Sequence, residues 1–214
     1  MELNAENELK PEAITRSLGD YGIDASETQI SQIQKYILLL LAWNQKVNIT
    51  AIQDPREILF RHFCESMYVV PLAAISRGRL ADVGSGGGFP GLPIKILVPG
   101  LEVLLIESNM KKAAFLAEVV RELGLEAVRV LVGRYEELDE EVAPVDYVCS
   151  TALGDYEKLL GWAASPTLAA RSVMLWIGAG DVDKVKAVSG WGWREAVPIP
   201  HSLRRFLLIG DRRE

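Results

Sequence analysis

Apolar residues recur at helical spacing through the first third of the chain, then give way near Arg79 to short apolar runs separated by helical stretches. Within the first third, Ser26-Glu27-Thr28-Gln29 has the form of a capping box. Ser26 accepts from the backbone three residues on, and Gln29 reaches back. Behind it Ile30, Ile33, Ile37, Leu40 and Leu41 share one face of a helix. Asp54-Pro55 is a second start signal, a capping carboxylate followed by a proline that has no amide hydrogen to lose at the first helical position. The helix it opens turns Ile58, Leu59, Phe63 and Tyr68 toward a core.

From Arg79 the pattern alternates strand and helix. Residues 80–83 are a short apolar strand running into a glycine loop, and residues 101–106 are a second strand that ends at Glu107. Residues 109–123 form an amphipathic helix that Gly124 closes in a left-handed conformation. Apolar runs at 127–132, 145–149, 173–177 and 206–209 complete the strands, and 193–199 pairs with 206–209 as a hairpin-style ending. Such alternation predicts an α/β fold with a mostly parallel sheet covered by helices on both faces. The helical first third, residues 1–75, is expected as an extension of a sheet domain over 76–214.

Composition narrows the class without altering the fold. The chain has 214 residues, 49% hydrophobic and 24% charged, as in an ordinary globular protein. Cys64 and Cys149 can form neither a disulfide framework nor a zinc site, which points to a reducing, cytoplasmic setting and to no metal. The first eight residues, Met1 to Glu8, are too acidic and polar for a targeting peptide, and the longest apolar run, 36–43, is far short of the roughly 20 residues that span a bilayer. A net charge of -6 means that any nucleic-acid site is a local basic patch.

The chemistry concentrates in Asp82-Val83-Gly84-Ser85-Gly86-Gly87-Gly88-Phe89-Pro90-Gly91-Leu92-Pro93. A strand leading through glycines to a helix start lets the backbone approach a ligand closely. The loop alone is compatible with a dinucleotide site or an ordinary tight turn. Three details favour S-adenosylmethionine over NAD. Phe89 stands where a dinucleotide loop wants its third small residue. Asp82 places an acid where it suits a cationic sulfonium and amino group and would repel a pyrophosphate. Glu107 ends the next strand, where a carboxylate can accept from both ribose hydroxyls; by itself it reads equally well as a solvated strand end.

These residues, with others along the chain, resemble the bacterial 16S ribosomal RNA 7-methylguanosine methyltransferases, the RsmG or GidB family. Trp43-Asn44-Gln45-Lys46-Val47-Asn48-Ile49-Thr50 is similar to the family's Trp-Asn-…-Asn-Leu-Thr segment, and Arg61-His62-Phe63-Cys64-Glu65-Ser66 to its Arg-His-…-Asp-Ser segment. The loop matches with both Pro90 and Pro93, and Ile106-Glu107-Ser108 with Lys111 to Leu116 resembles the ribose-binding strand and its helix. Gly133-Arg134-Tyr135-Glu136-Glu137 is similar to the segment that lies along the adenine. The resemblance implies a Rossmann-like class I methyltransferase sheet with an antiparallel last strand. It implies that Gly84, Gly86, Phe89, Tyr135, Glu136 and Thr151 line the cofactor with Asp82, that Glu107 holds the ribose, and that Asn48, Thr50, Arg61, His62 and Arg205 lie on the RNA side. The implied partner is 16S ribosomal RNA or the 30S subunit, met by a monomer that touches no membrane. Two departures remove positive charge from that side: Ser150-Thr151-Ala152 stands for the family's Ser-Arg-Ala, and Trp176-Ile177-Gly178 for its Leu-Lys-Gly.

Guanine N7 carries a free lone pair and no proton, so its methylation needs positioning and no general base. The chain fits that need: it has no Asn/Asp-Pro-Pro-aromatic tetrad for exocyclic amines, and Cys149 lacks the preceding proline of a cytosine-C5 nucleophile and reads as a buried thiol. His62 reads either as a group that orients a base or phosphate or as a core histidine, and His201 as exposed. Arg205 suits an RNA backbone or base, with Arg204, Lys111 or Lys112 beside it; Trp191 and Trp193 read as packing under the sheet. Two other functions remain open at this point: a methyltransferase for a small molecule or protein, and a cofactor binder whose RNA substrate is altered or lost.

Overall fold

A computed structural model describes residues 9–151 and 154–213; the acidic start at Met1 to Glu8 and Ala152 lie outside the described residues. Two regular helices come first, α1 (Pro11–Gly19) and α2 (Glu27–Asn44). The capping box forms: Gln29 N–H donates to Ser26 Oγ at 3.3 Å, and Ser26 N–H donates to Gln29 Oε1 at 2.8 Å. The Gln29 amide nitrogen also donates to the carbonyls of Ile96 and Leu97 at 2.9 and 3.1 Å, tying the start of α2 to the body of the molecule.

Asp54 caps α3 (Pro55–Ile58) through the Glu57 N–H at 2.8 Å. The helix then leaves regular geometry. Leu59–Cys64 form a π-helical turn before α4 (Glu65–Met67) and α5 (Val69–Ala73). Ile58, Leu59 and Phe63 are buried as expected, while Tyr68 is only half-buried against the same core.

The strands are β1 (Gly78–Val83), β2 (Leu101–Glu107), β3 (Val128–Val132), β4 (Tyr147–Ser150), β5 (Ser172–Gly178), β6 (Trp191–Trp193), β7 (Val197–Pro198) and β8 (Arg205–Arg212). They form one sheet in the order β3-β2-β1-β4-β5-β8-β6, with β7 also on β8. The first five pair in parallel, and β8 runs antiparallel to β5. The mostly parallel sheet with an antiparallel last strand is therefore present. The expected late hairpin is two short pieces, β6 and β7, both antiparallel to β8.

Strand alternation divides the core between the two faces of the sheet. On one face Leu80, Val103, Leu105, Met174 and Trp176 meet Ile33, Tyr36 and Phe63 of the helical first third, with Leu92 of α6 (Gly91–Leu97) and Phe115 of α7 (Met110–Glu122). On the other, Ala81, Val83, Leu104, Val173, Leu175 and Ile177 pack on Leu160 and Trp162 of α9 (Tyr156–Ala163), which follows a short α8 (Asp139–Val142). Trp191 is buried here, and Trp193 covers Gly210 so closely that a Cβ there would meet its ring at 2.6 Å, so both tryptophans are packing residues. Gly124 closes α7 at φ +61°. Among the described residues, no helix is long and apolar enough to cross a membrane.

Candidate functional site

The glycine loop leaves β1 and enters α6 through two fastenings beneath it. Asp82 Oδ2 accepts from the Gly91 N–H at 3.0 Å, and Glu107 Oε2 accepts from the Gly86 N–H at 2.8 Å. The α6 start is packed so tightly on Asp82 that a Cβ on Gly91 would lie 2.7 Å from its carboxylate. A third fastening comes from α2, where the buried Tyr36 hydroxyl donates to the Gly87 carbonyl at 2.5 Å. Gly88, at φ +89°, lies against that hydroxyl, and a Cβ added there would clash with it and come within 2.7 Å of Leu92, so only glycine fits. Gly84 and Gly86 differ. Both have positive φ, +72° and +57°, yet an added Cβ at either meets no side chain within 4 Å, so the backbone there borders open space.

That space is a cleft of about 410 Å³ whose walls come from distant parts of the chain. It is lined by Gly84, Ser85, Gly86, Gly87 and Phe89 of the loop, by Thr50, Arg61, His62, Glu65 and Ser66 of the helical first third, and by Lys112, Thr151, Trp176 and Arg205. Asn44 at the end of α2 holds the Thr50 segment. Its Oδ1 accepts from the N–H groups of Ile49 and Thr50 at 2.8 and 3.1 Å, and its Nδ2 donates to the Thr50 carbonyl at 2.8 Å. Thr50 Oγ1 and His62 Nε2 are 2.9 Å apart. The His62 ring stacks on Phe89 at 4.3 Å and 9°, and Phe89 stacks in turn on Tyr36 at 5.5 Å and 11°. Burial pushes His62 down to about 4, with Arg61 adding to the effect, so the ring is neutral at pH 7.

The π-helical turn sets Arg61, His62, Glu65 and Ser66 along the cleft, in keeping with the frequent placement of such turns at functional sites. Glu65 is buried, and its Oε1 accepts from Arg205 Nη2 at 2.6 Å. Burial pushes the Glu65 carboxyl up to about 7, while Arg205 and Arg61 pull against that shift. Arg205 also donates from Nε to Ser202 Oγ at 3.2 Å, and the Trp176 indole N–H donates to the Glu65 carbonyl at 2.8 Å.

Of the expected residues, Gly84, Gly86, Phe89, Thr151, Thr50, Arg61, His62 and Arg205 line this one cleft; among the described residues, Asp82, Glu107, Tyr135, Glu136 and Asn48 do not. Asp82, expected on the cofactor, has no exposed surface; its carboxylate accepts from the Gly91 N–H and lies 3.7 Å from the Cys149 thiol, so it fastens the loop from below. Burial pushes it up to about 7, against the lowering influence of the Gly91 hydrogen bond. Glu107 sits at the end of β2 with both oxygens already accepting backbone N–H groups, from Gly86 and from Asn109 at 2.7 Å. Tyr135 packs edge-on against Trp162, Glu136 pairs with Lys158 at 2.5 Å, and Asn48 is exposed. Ile177 is turned away from the cleft into the second core, so the charge expected to be missing at that position is missing from the far face of β5. Glu65 and Trp176 escaped the sequence reading. The i, i+4 spacing of Arg61 and Glu65 and the strand alternation that turns Trp176 opposite to Ile177 were the available signals.

A family model described as rRNA small subunit methyltransferase G matches residues 29–187, well over half of the chain. The ribosomal RNA small subunit methyltransferase G of Xylella fastidiosa strain M23 is 46% identical over 138 residues, 63% of this chain and 63% of that protein. The protein of the same description from Alkaliphilus oremlandii is 36% identical over 154 residues, 72% of this chain and 59% of the relative. The matched part thus spans less than two thirds of these relatives' lengths. Among solved structures, the ribosomal protein L11 methylase of Lactobacillus delbrueckii subsp. bulgaricus superposes with a TM-score of 0.60 at 14% identity, over 77% of this chain and 90% of that one. Precorrin-6y C5,15-methyltransferase of Geobacter metallireducens GS-15 gives 0.57 at 12% identity, over 70% and 88%. Both likenesses show a Rossmann-like α/β fold.

Proposed function

The chain belongs to the rRNA small subunit methyltransferase G family, and from that membership we propose that it methylates guanine N7 in 16S ribosomal RNA of the small subunit with S-adenosylmethionine. The observation that carries this reading is the cleft that the glycine loop lines together with Thr50, His62 and Arg205.

The residues present fit the cofactor. Gly84 and Gly86 leave open the space that any side chain would occupy, and the Gly86 backbone is held by Glu107. Glu107 keeps a second lone pair on each oxygen for ribose hydroxyls. Tyr135 and Glu136, outside this cleft, would meet the adenine as the family resemblance implies, and Glu136 would then be shared with Lys158. Once bound, the cofactor supplies a methyl group on a sulfonium. The protein's own part is to orient and to exclude water: Phe89, clamped between His62 and Tyr36, fixes the loop edge, and neutral His62 with Thr50 offers polar contacts without adding charge beside a purine that becomes cationic. No group has to remove a proton, which agrees with a histidine held neutral and far from a base's working range.

The test is transfer of labelled methyl to 30S subunits from a strain lacking the modification, followed by mass-spectrometric mapping of the modified nucleotide. One 7-methylguanosine in small-subunit rRNA is expected. Tight cofactor binding with no transfer to those subunits would overturn the proposal.

A further inference from the structure

The cleft contains one carboxylate that the positioning chemistry above does not use. Glu65 is only 5% exposed, and its carboxylate is ion-paired with Arg205 across 2.6 Å. Taking such a pair out of water is a weak source of stability, because desolvation offsets the attraction. A buried ion pair on the wall of a cleft is a candidate for presenting its groups to a ligand. Here the guanidinium of Arg205 offers N–H donors and the Glu65 carboxylate offers acceptors side by side, both on the cleft wall.

Purine edges differ in the matching order. Guanine presents the O6 acceptor next to the N1–H and N2 amino donors, whereas adenine presents an amino donor next to the N1 acceptor. With the guanidinium at position 6 and the carboxylate at position 1, the pair is complementary to the first and opposed to the second. Resting on the function proposed above, we propose that Glu65 and Arg205 together read the Watson–Crick edge of the target guanine: Arg205 donates to O6, and Glu65 accepts from N1–H and the N2 amino group. N7, on the adjoining edge beside O6, is not used by this pair and is left free for its own chemistry. The arrangement is supported from behind: Trp176 donates to the Glu65 backbone carbonyl, and Ser202 Oγ accepts from Nε of Arg205, whose Nη2 in turn holds the Glu65 carboxylate.

The experiment crosses a protein change with a substrate change. Small subunits are reconstituted with rRNA carrying guanosine or inosine at the methylated position; inosine keeps O6, N7 and N1–H and lacks only the N2 amino group. The unaltered chain is expected to prefer guanosine in kcat/KM on the order of ten-fold, and Glu65→Ala to lose most of that preference while binding S-adenosylmethionine as before. Glu65→Asp is expected to regain part of it. If the unaltered chain treats guanosine and inosine alike, or if Glu65→Ala keeps the full preference, the reading pair is overturned while the rRNA function stands. Absence of transfer to guanosine subunits by the unaltered chain overturns the function and the pair together. The comparison within the unaltered chain does not require the Glu65 variants to fold.

Discussion

At the scale of single residues, the two acids flanking the glycine loop carry different burdens, and experiment can separate them. Glu107 fastens Gly86 and Asn109 and faces the proposed ribose. Glu107→Ala removes charge-assisted hydrogen bonds worth about 1.5–3 kcal/mol, so calorimetry should show S-adenosylmethionine binding weakened at least ten-fold. Asp82, by contrast, is a buried carboxyl pushed up to about 7. A group raised in this way stabilises the fold fully below its ordinary value of 3.8 and loses that contribution as the pH climbs through about 7. Glu65 acts in the same direction, and His62, held down to about 4, acts in the opposite one, favouring the fold as pH rises. The informative comparison is therefore between variant and parent. Asp82→Asn keeps an acceptor for the Gly91 N–H and has no charge to acquire, so urea unfolding at pH 5 and pH 8 should show a smaller loss of stability for the variant than for the parent. Equal losses would rule out Asp82 as the titrating group.

At the scale of elements, function depends on segments whose ends are pinned by side chains. Asn44 makes three hydrogen bonds to the Ile49–Thr50 backbone and thereby sets Thr50 against His62. Asn44→Ala should raise KM for the small subunit about ten-fold and leave cofactor affinity unchanged, a split measurable by steady-state kinetics with each substrate varied. These elements also mark what the sequence could and could not disclose. The capping box at Ser26, the Asp54-Pro55 start, the parallel strands and the left-handed Gly124 were legible because each rests on local chemistry. The π-helical turn was not, because an extra residue in one turn leaves the apolar spacing of Ile58, Leu59 and Phe63 nearly intact. The depth of Asp82 was hidden for a similar reason. An acid before a glycine loop looks the same whether it faces a ligand above or the Gly91 N–H below. Glu65 and Arg205 lie 140 positions apart in the chain, and only the antiparallel return of β8 beside β5 brings them together.

At the scale of the whole molecule, a net charge of -6 limits how nucleic acid can be held. The cations on the cleft are Arg61, Lys112 and Arg205, and two of them are already matched, Arg61 by Glu57 at 2.9 Å and Arg205 by Glu65. Binding of small-subunit rRNA should therefore weaken with salt at a logarithmic slope of roughly -2 to -3, the signature of few phosphates; a slope several times steeper would show a basic surface elsewhere. The hydroxyl of Tyr36 on the Gly87 carbonyl has a consequence of another kind. It makes the middle of α2 part of the same rigid unit as the loop, so whatever seats on the Gly84–Gly87 backbone and the docking of α2 must favour one another by equal amounts. Amide hydrogens in α2, far from any ligand atom, should then exchange with deuterium more slowly when S-adenosylmethionine is present, and Tyr36→Phe should abolish most of that protection while leaving the helix folded. The first third of the chain would thus register, through its solvent exchange, the occupancy of the loop it packs against.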